Sequence, residues 1–109
     1  SASKLTRASV NDKLARYLLN SNHPVGGAKA KWFEAALGFT SKNADALAKQ
    51  LKFNPKTAVQ TAVTEHGTKF NQVIEITGAN GRVIPVTTSW IQRNGEDFVR
   101  LVTAIPTAK

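Results

Sequence analysis

The chain has no cysteine and no methionine. Without cysteine there is no disulfide, no thiolate metal site and no cysteine nucleophile, and the redox compartment is left open. With Ser at position 1 and no methionine, the expectation is a piece processed or excised from a longer chain, and Ser1-Ala2-Ser3 is set aside as a remnant of production. Acidic residues are scarce, seven against fifteen Lys and Arg. They are also scattered, which argues against two-metal nuclease chemistry. The two histidines, His23 and His66, lie 43 residues apart without paired carboxylates nearby. They make a poor metal site, and neither a metal nor another cofactor is expected. No apolar run approaches the roughly 20 residues of a membrane span. No charged and then apolar start marks a signal peptide.

What remains is a basic chain of 109 residues, 41% hydrophobic and 20% charged, with a formal charge of +8. That length makes one domain with a modest core. The charge excess points to a polyanionic partner, nucleic acid first, against the plainer alternative of a solvated basic surface. No segment joins a basic face to a strong Trp/Phe/Leu face, so a membrane surface fits less well.

Periodicity divides the chain. Ser9 or Asn11 can cap a helix through Leu19, with Val10, Leu14, Tyr17 and Leu18 forming one apolar stripe. Residues 1–8 are then a flexible lead-in to a single domain over 9–109. Pro24 keeps His23 extended, and a second helix starts near Gly27. Gly38 ends that helix, with Phe39 folding back across it, and Thr40 or Ser41 caps a third that closes at Asn54-Pro55. From Thr57 the period becomes two, giving strands over 57–65, 69–77, 82–93 and 98–105. Asn80-Gly81 and Asn94-Gly95 are hairpin signals, and Pro85 requires an edge strand or a bulge. The expected fold is α+β, three N-terminal helices packed on a four-stranded antiparallel sheet.

No P-loop, H-E-x-x-H or G-x-S-x-G motif is present. A set of His, Lys, Arg and Thr on a basic domain fits metal-independent RNA cleavage. The 2′-hydroxyl is then its own nucleophile, and the protein supplies a base, an acid and cations for the phosphorane. Histidine, with an ordinary pKa of about 6.5, can serve either proton role.

His23, before the second helix, reads as a general acid or base, or as a local cap. Gly26-Gly27 expose amides at a helix start that favours an anion, and Lys29 sits there against the helix dipole. Lys31 lies two positions on, off that face and near Glu34. Trp32 and Phe33 read as core. His66 and Lys69 flank the first hairpin, where a solvated tip is the plainer reading. Arg100 and Thr103 lie an odd number apart on the last strand, so one faces the helices unless a bulge intervenes. Trp90 is open between core and RNA stacking.

The block L-L-N-S-N-H-P-V-G-G-A-K-A-K-W-F-E-A-A-L-G-F-T-S-K-N-A, followed by H-G-T-K-F, G-A-N-G-R, S-W-I and R-L-V-T-A-I-P, resembles a small family of bacterial toxin-associated domains. The resemblance covers Leu18 to Pro106, and its His23–Phe33 part is the specific one. The element order is also similar to the barnase/EndoU/colicin/RelE group of ribonucleases, whose nearest comparison is the C-terminal toxin domain of CdiA-type contact-dependent inhibition proteins. That resemblance implies a metal-independent endoribonuclease, with tRNA as the foremost target. It implies catalytic residues among His23, Lys29, His66, Arg100 and Thr103, and substrate contacts among Gly27, Lys31, Lys69, Arg82 and Trp90. An acidic immunity or antitoxin protein would be the partner. The domain would be delivered from one bacterium to act in the cytoplasm of another. Phe70 and Ile105 stand where tyrosine is expected in relatives. The alternative is a non-catalytic nucleic-acid-binding module. A third reading, an adaptor or immunity-like protein, conflicts with the positive charge.

Overall fold

The computed structural model describes residues 1–108. Helix α1 spans Ala2–Lys13 and runs on through a π-helical turn, Leu14–Leu18. Helix α2 spans Gly27–Leu37, and a 3-10 turn at Ser41–Asn43 leads into α3, Ala44–Ala48. Strands β1 (Val59–Thr64), β2 (Gly67–Thr77), β3 (Val83–Arg93) and β4 (Arg100–Pro106) form one antiparallel sheet in the order β1-β2-β3-β4. This is the expected α+β arrangement. Among the described residues, no helix is long and apolar enough to cross a membrane.

Helix α1 starts at Ala2, where the Ser1 hydroxyl accepts from the Lys4 amide. The lead-in expected over residues 1–8 is therefore mostly the opening turns of α1. Ser9 is not its cap. The Ser9 hydroxyl donates to Thr6 O at 2.6 Å and accepts from Leu101 N at 3.2 Å. It thus closes an amide on the outer edge of β4 and holds α1 along that edge. In the π turn, Leu19 N reaches back five residues to Leu14 O at 2.9 Å. The extra residue in this turn leaves Leu14 and Leu18 fully inside and Tyr17 half-buried on the flank.

Gly38 takes a left-handed conformation at φ 76°, and Phe39 N bonds Phe33 O, so the buried Phe39 ring closes the end of α2 as expected. Thr40, not Ser41, caps the next turn, with Asn43 Oδ1 accepting from Thr40 N at 2.8 Å.

The inner sheet face carries Gln72, Ile76, Val86, Thr88, Trp90, Leu101 and Ala104 against Leu14, Leu18, Phe33, Leu37 and Leu47. Trp90, open on sequence between core and substrate stacking, is fully buried; it stacks edge-on with Phe53 and donates Nε1–H to Thr88 Oγ1 at 2.7 Å. Thr88 in turn donates to Gln72 O, and the Gln72 amide ties down Lys52 O and Asn54 N. A buried indole N–H needs such a partner, and Thr88 supplies it from the same face of the same strand.

Two irregularities matter. On β4, Leu101 pairs Trp90 and Thr103 pairs Ser89, so Val102 is a bulge residue. Leu101 and Ala104 are three apart yet both buried, which a regular strand forbids. Pro85 lies on an inner strand without a bulge, but beyond the last β3–β4 pair. Its carbonyl accepts from Thr107 N, just past the end of β4 at Pro106. The Pro85 nitrogen points the same way, past the last β3–β4 pair at Val86–Pro106, where β3 has become locally the edge.

Candidate active site

The outer sheet face is a ladder of rows fixed by the strand register. Lys69, Ile91 and Arg100 form one row, and Asn71, Ser89 and Thr103 the next. Val73, Thr87 and Ile105 form a third. The bulge places Arg100 and Thr103 on the same face, which a flat strand would have split.

Helix α1 walls this face along the β4 edge and leaves a groove of about 870 Å³. Its lining includes Lys13 of α1, His66 of the first hairpin, Lys69, Ile91, Arg93, Arg100 and Val102. Asp12 is the one carboxylate on that lining, and Arg16 pairs with it at 2.8 Å. The groove is thus strongly positive. A second cavity of about 720 Å³ opens on the other flank of α1, but it mixes Arg7, Lys49 and Lys52 with Asp45 and Asp97 around Leu51 and Phe53.

At one end of the groove stands a cluster around Tyr17, the only tyrosine in the chain. Lys29 Nζ lies 5.3 Å and Lys13 Nζ 5.8 Å from the centre of its ring. His23 meets the ring edge-on with centroids 5.1 Å apart. The Lys29 ammonium at the phenol oxygen pulls the Tyr17 hydroxyl below its ordinary pKa. Burial opposes that shift, while the Thr103 hydroxyl and the charges of Lys29 and Lys13 add to it. Thr103 Oγ1 is buried and completes no hydrogen bond of its own. It is therefore near enough to favour the phenolate without being closed onto it.

His23 is bound differently from a catalytic imidazole. Its Nδ1 accepts from Val25 N at 3.0 Å and Gly26 N at 2.9 Å. Backbone amides can only donate, so the ring proton sits on Nε2, and protonating Nδ1 would break both bonds. His23 caps the start of α2 and braces Tyr17. The same bonds use up amides expected to hold an anion at Gly27, whose own N–H bonds His23 O at 2.9 Å. The glycines serve close packing instead. A Cβ on Gly26 would lie 2.3 Å from Tyr17 O, and one on Gly27 2.8 Å from Ser21 O.

The remaining expected residues are dispersed over the fold. Lys29 and Thr103 are in the Tyr17 cluster. Lys69, Arg100 and His66 line the groove, where Glu96 holds Arg100 by two bonds of 3.1 and 2.7 Å beside the Phe98 ring. Arg100 in return lowers the pKa of Glu96. His66 is exposed at the rim, with Nε2 3.4 Å from Glu65 Oε1. Lys31 is exposed on α2, and Arg82 lies in the β2–β3 turn at the far end of β3, about 30 Å of strand from Ile91. Trp90 is core.

Sequence reasoning missed Tyr17 and Lys13. The signal was present: a lone tyrosine in an aliphatic stripe has a hydroxyl that must find a partner. Among the described residues, no group of His, Asp and Glu is placed to hold a metal ion.

Residues 3–108 match a family described as a domain of unknown function, DUF6883, and the chain belongs to it. No curated protein and no solved structure matches the chain.

Proposed function

We propose that this domain is a metal-independent endoribonuclease, the toxin module of a contact-dependent inhibition or toxin–antitoxin system, with tRNA as its foremost substrate. The observation that carries the reading is the acidified Tyr17 phenol, set between Lys29, Lys13 and Thr103 at the end of a basic groove. In this reading the RNA backbone lies along Lys69, Arg100 and Lys13. The Tyr17 phenolate takes the proton of the 2′-hydroxyl, and that oxygen bonds the adjacent phosphorus. The P–O5′ bond breaks, and the departing oxygen takes a proton from the Lys29 ammonium. Lys13 and Arg100 offset the charge on the phosphorane. The products are a 2′,3′-cyclic phosphate and a 5′-hydroxyl, and solvent exchange restores both side chains. An acidic immunity protein would cover the groove. The site of action would be the cytoplasm of the receiving cell.

The test is incubation of bacterial tRNA with the protein in EDTA, with end analysis. Cleavage leaving cyclic phosphate is expected, reduced at least about 10²-fold in Tyr17→Phe and Lys29→Met. Intact RNA, or cleavage abolished by chelation, refutes the reading. The engagement of His23 Nδ1 by two amides favours one alternative, a binding module without chemistry, since it withdraws the imidazole nearest the cluster. Steeply salt-dependent RNA binding without cleavage would establish that alternative.

A further inference from the structure

The middle row of the outer sheet face has a directional feature that phosphate binding does not require. Ser89 Oγ donates to Asn71 Oδ1 at 3.1 Å, across the β2–β3 pair. That bond fixes which end of the Asn71 amide is engaged. Oδ1 is held by Ser89, and the two Nδ2 protons are left to face outward from an exposed position. On one side, Lys69 of the groove lies two residues away, about 7 Å along β2. On the other side is the Val73–Thr87–Ile105 row, with Val73 55% and Ile105 43% exposed. The Asn71 row itself ends at Thr103, against Tyr17.

A base whose sugar-phosphate sits beside Tyr17 and the cationic row would therefore lie with its ring against Val73 and Ile105 and its edge at Asn71. A hydrogen-bonding edge that offers donors reads acceptors. The carboxylate of Glu75 is the nearest acidic group along the outer face of β2, a further two residues beyond Val73 and opposite Pro85. Lys69 and Asn71 both present N–H groups.

We infer that Asn71, oriented by Ser89, is the specificity element of a nucleobase subsite that takes keto bases, uracil or guanine, in preference to amino bases. The inference rests on the reading of the groove as an RNA site, and it is independent of cleavage. Uracil and cytosine make the sharpest comparison, because they share ring size and differ at the exocyclic oxygen or amine and the adjacent ring nitrogen.

The experiment measures binding of fluorescent 12-mers of 2′-O-methyl uridine and 2′-O-methyl cytidine, which lack the free hydroxyl needed for cleavage. The wild-type protein is expected to bind the uridine oligomer about fivefold more tightly. Asn71→Asp, which replaces the donor by an acceptor of the same shape, is expected to reverse the order. Ser89→Ala, which frees the amide to turn over, is expected to abolish the preference. Thr77→Asp adds the same charge further along the same face of β2 and is expected to weaken both oligomers equally. Equal affinities in the wild type, absence of binding to either oligomer, or a uridine preference untouched by Asn71→Asp would overturn the inference. A protein that shows the preference but leaves unmodified RNA intact keeps the subsite and loses the ribonuclease reading.

Discussion

Gly26→Ala separates steric from conformational roles at the site. Gly26 lies at φ −78° and ψ −14°, ordinary right-handed helical space. On backbone grounds alone, alanine there is expected to stabilise by about 0.4–1 kcal/mol. The packing predicts the opposite. The new Cβ would lie 2.3 Å from Tyr17 O and 2.6 Å from Tyr17 Cδ1, where ordinary contact begins near 3.4 Å. The start of α2 must then move away from the π turn by about 1 Å, an overpacking cost of roughly 1–3 kcal/mol. The same movement stretches the Gly26 N to His23 Nδ1 bond, now 2.9 Å, beyond hydrogen-bonding range. A lost cap adds about 1 kcal/mol. Less the backbone gain, the net is about 1–3.5 kcal/mol of destabilisation. With a urea slope of about 1.5 kcal/mol per molar, the midpoint falls by roughly 0.7–2.3 M. Gly95→Ala is the control. Gly95 has φ 82° and nothing within 4 Å, so it should lose only the left-handed strain of about 1–2 kcal/mol. Urea unfolding followed by tryptophan fluorescence reports both. A Gly26→Ala midpoint at or above wild type would refute the close approach of α2 to Tyr17 and the brace built on it.

Tyr17 gives a pH prediction. Its folded pKa is lowered, so the folded state favours the phenolate, and this stabilisation is present above the unfolded value and lost as pH falls through the folded one. The stability gap between wild type and Tyr17→Phe should therefore widen as pH rises from below the lowered pKa toward about 10, as denaturant melts across that range would show. Trp90→Phe should cost about 2–3 kcal/mol, through lost volume and the donor lost to the Thr88 oxygen, yet leave RNA affinity unchanged at a temperature where the variant is folded. Glu96→Gln frees the Arg100 guanidinium, and RNA binding should tighten and steepen its salt dependence by up to about 0.7 in log–log slope.

The architecture was legible because the period changes sharply, from the stripe of Val10, Leu14 and Leu18 to the alternation that begins near Val59. The Gly38-Phe39 stop and the Asn80-Gly81 turn carry their conformations in their residue types. The site was less legible, for three physical reasons. The π turn adds a residue that no apolar pattern announces, and it moves Tyr17 out of the stripe to which its spacing assigns it. The Val102 bulge reverses strand parity, so counting from Arg100 to Thr103 gives the wrong faces. His23 looked catalytic because composition cannot show that its Nδ1 is filled by the two amides after Pro24. Trp90 was ambiguous by composition and was decided by Thr88, whose hydroxyl makes a buried indole affordable.

The hydrogen-bonded line from Trp90 through Thr88 to Gln72 also has a consequence on the other side of the sheet. Ser89 and Ile91 alternate with Thr88 and Trp90 on the same strand. Locking the inward pair therefore indexes the outward pair. A slip of β3 by one residue would bring Trp90 into water and drive Ser89 into the core, so the rows on the open face have only one permitted alignment. The outer face is in this sense keyed from behind. Trp90→Phe keeps an aromatic ring in the slot and so keeps the alignment; loss of the ring and the Thr88 hydroxyl together should free the register of β3, and with it the order of the groove rows, before it dissolves the domain.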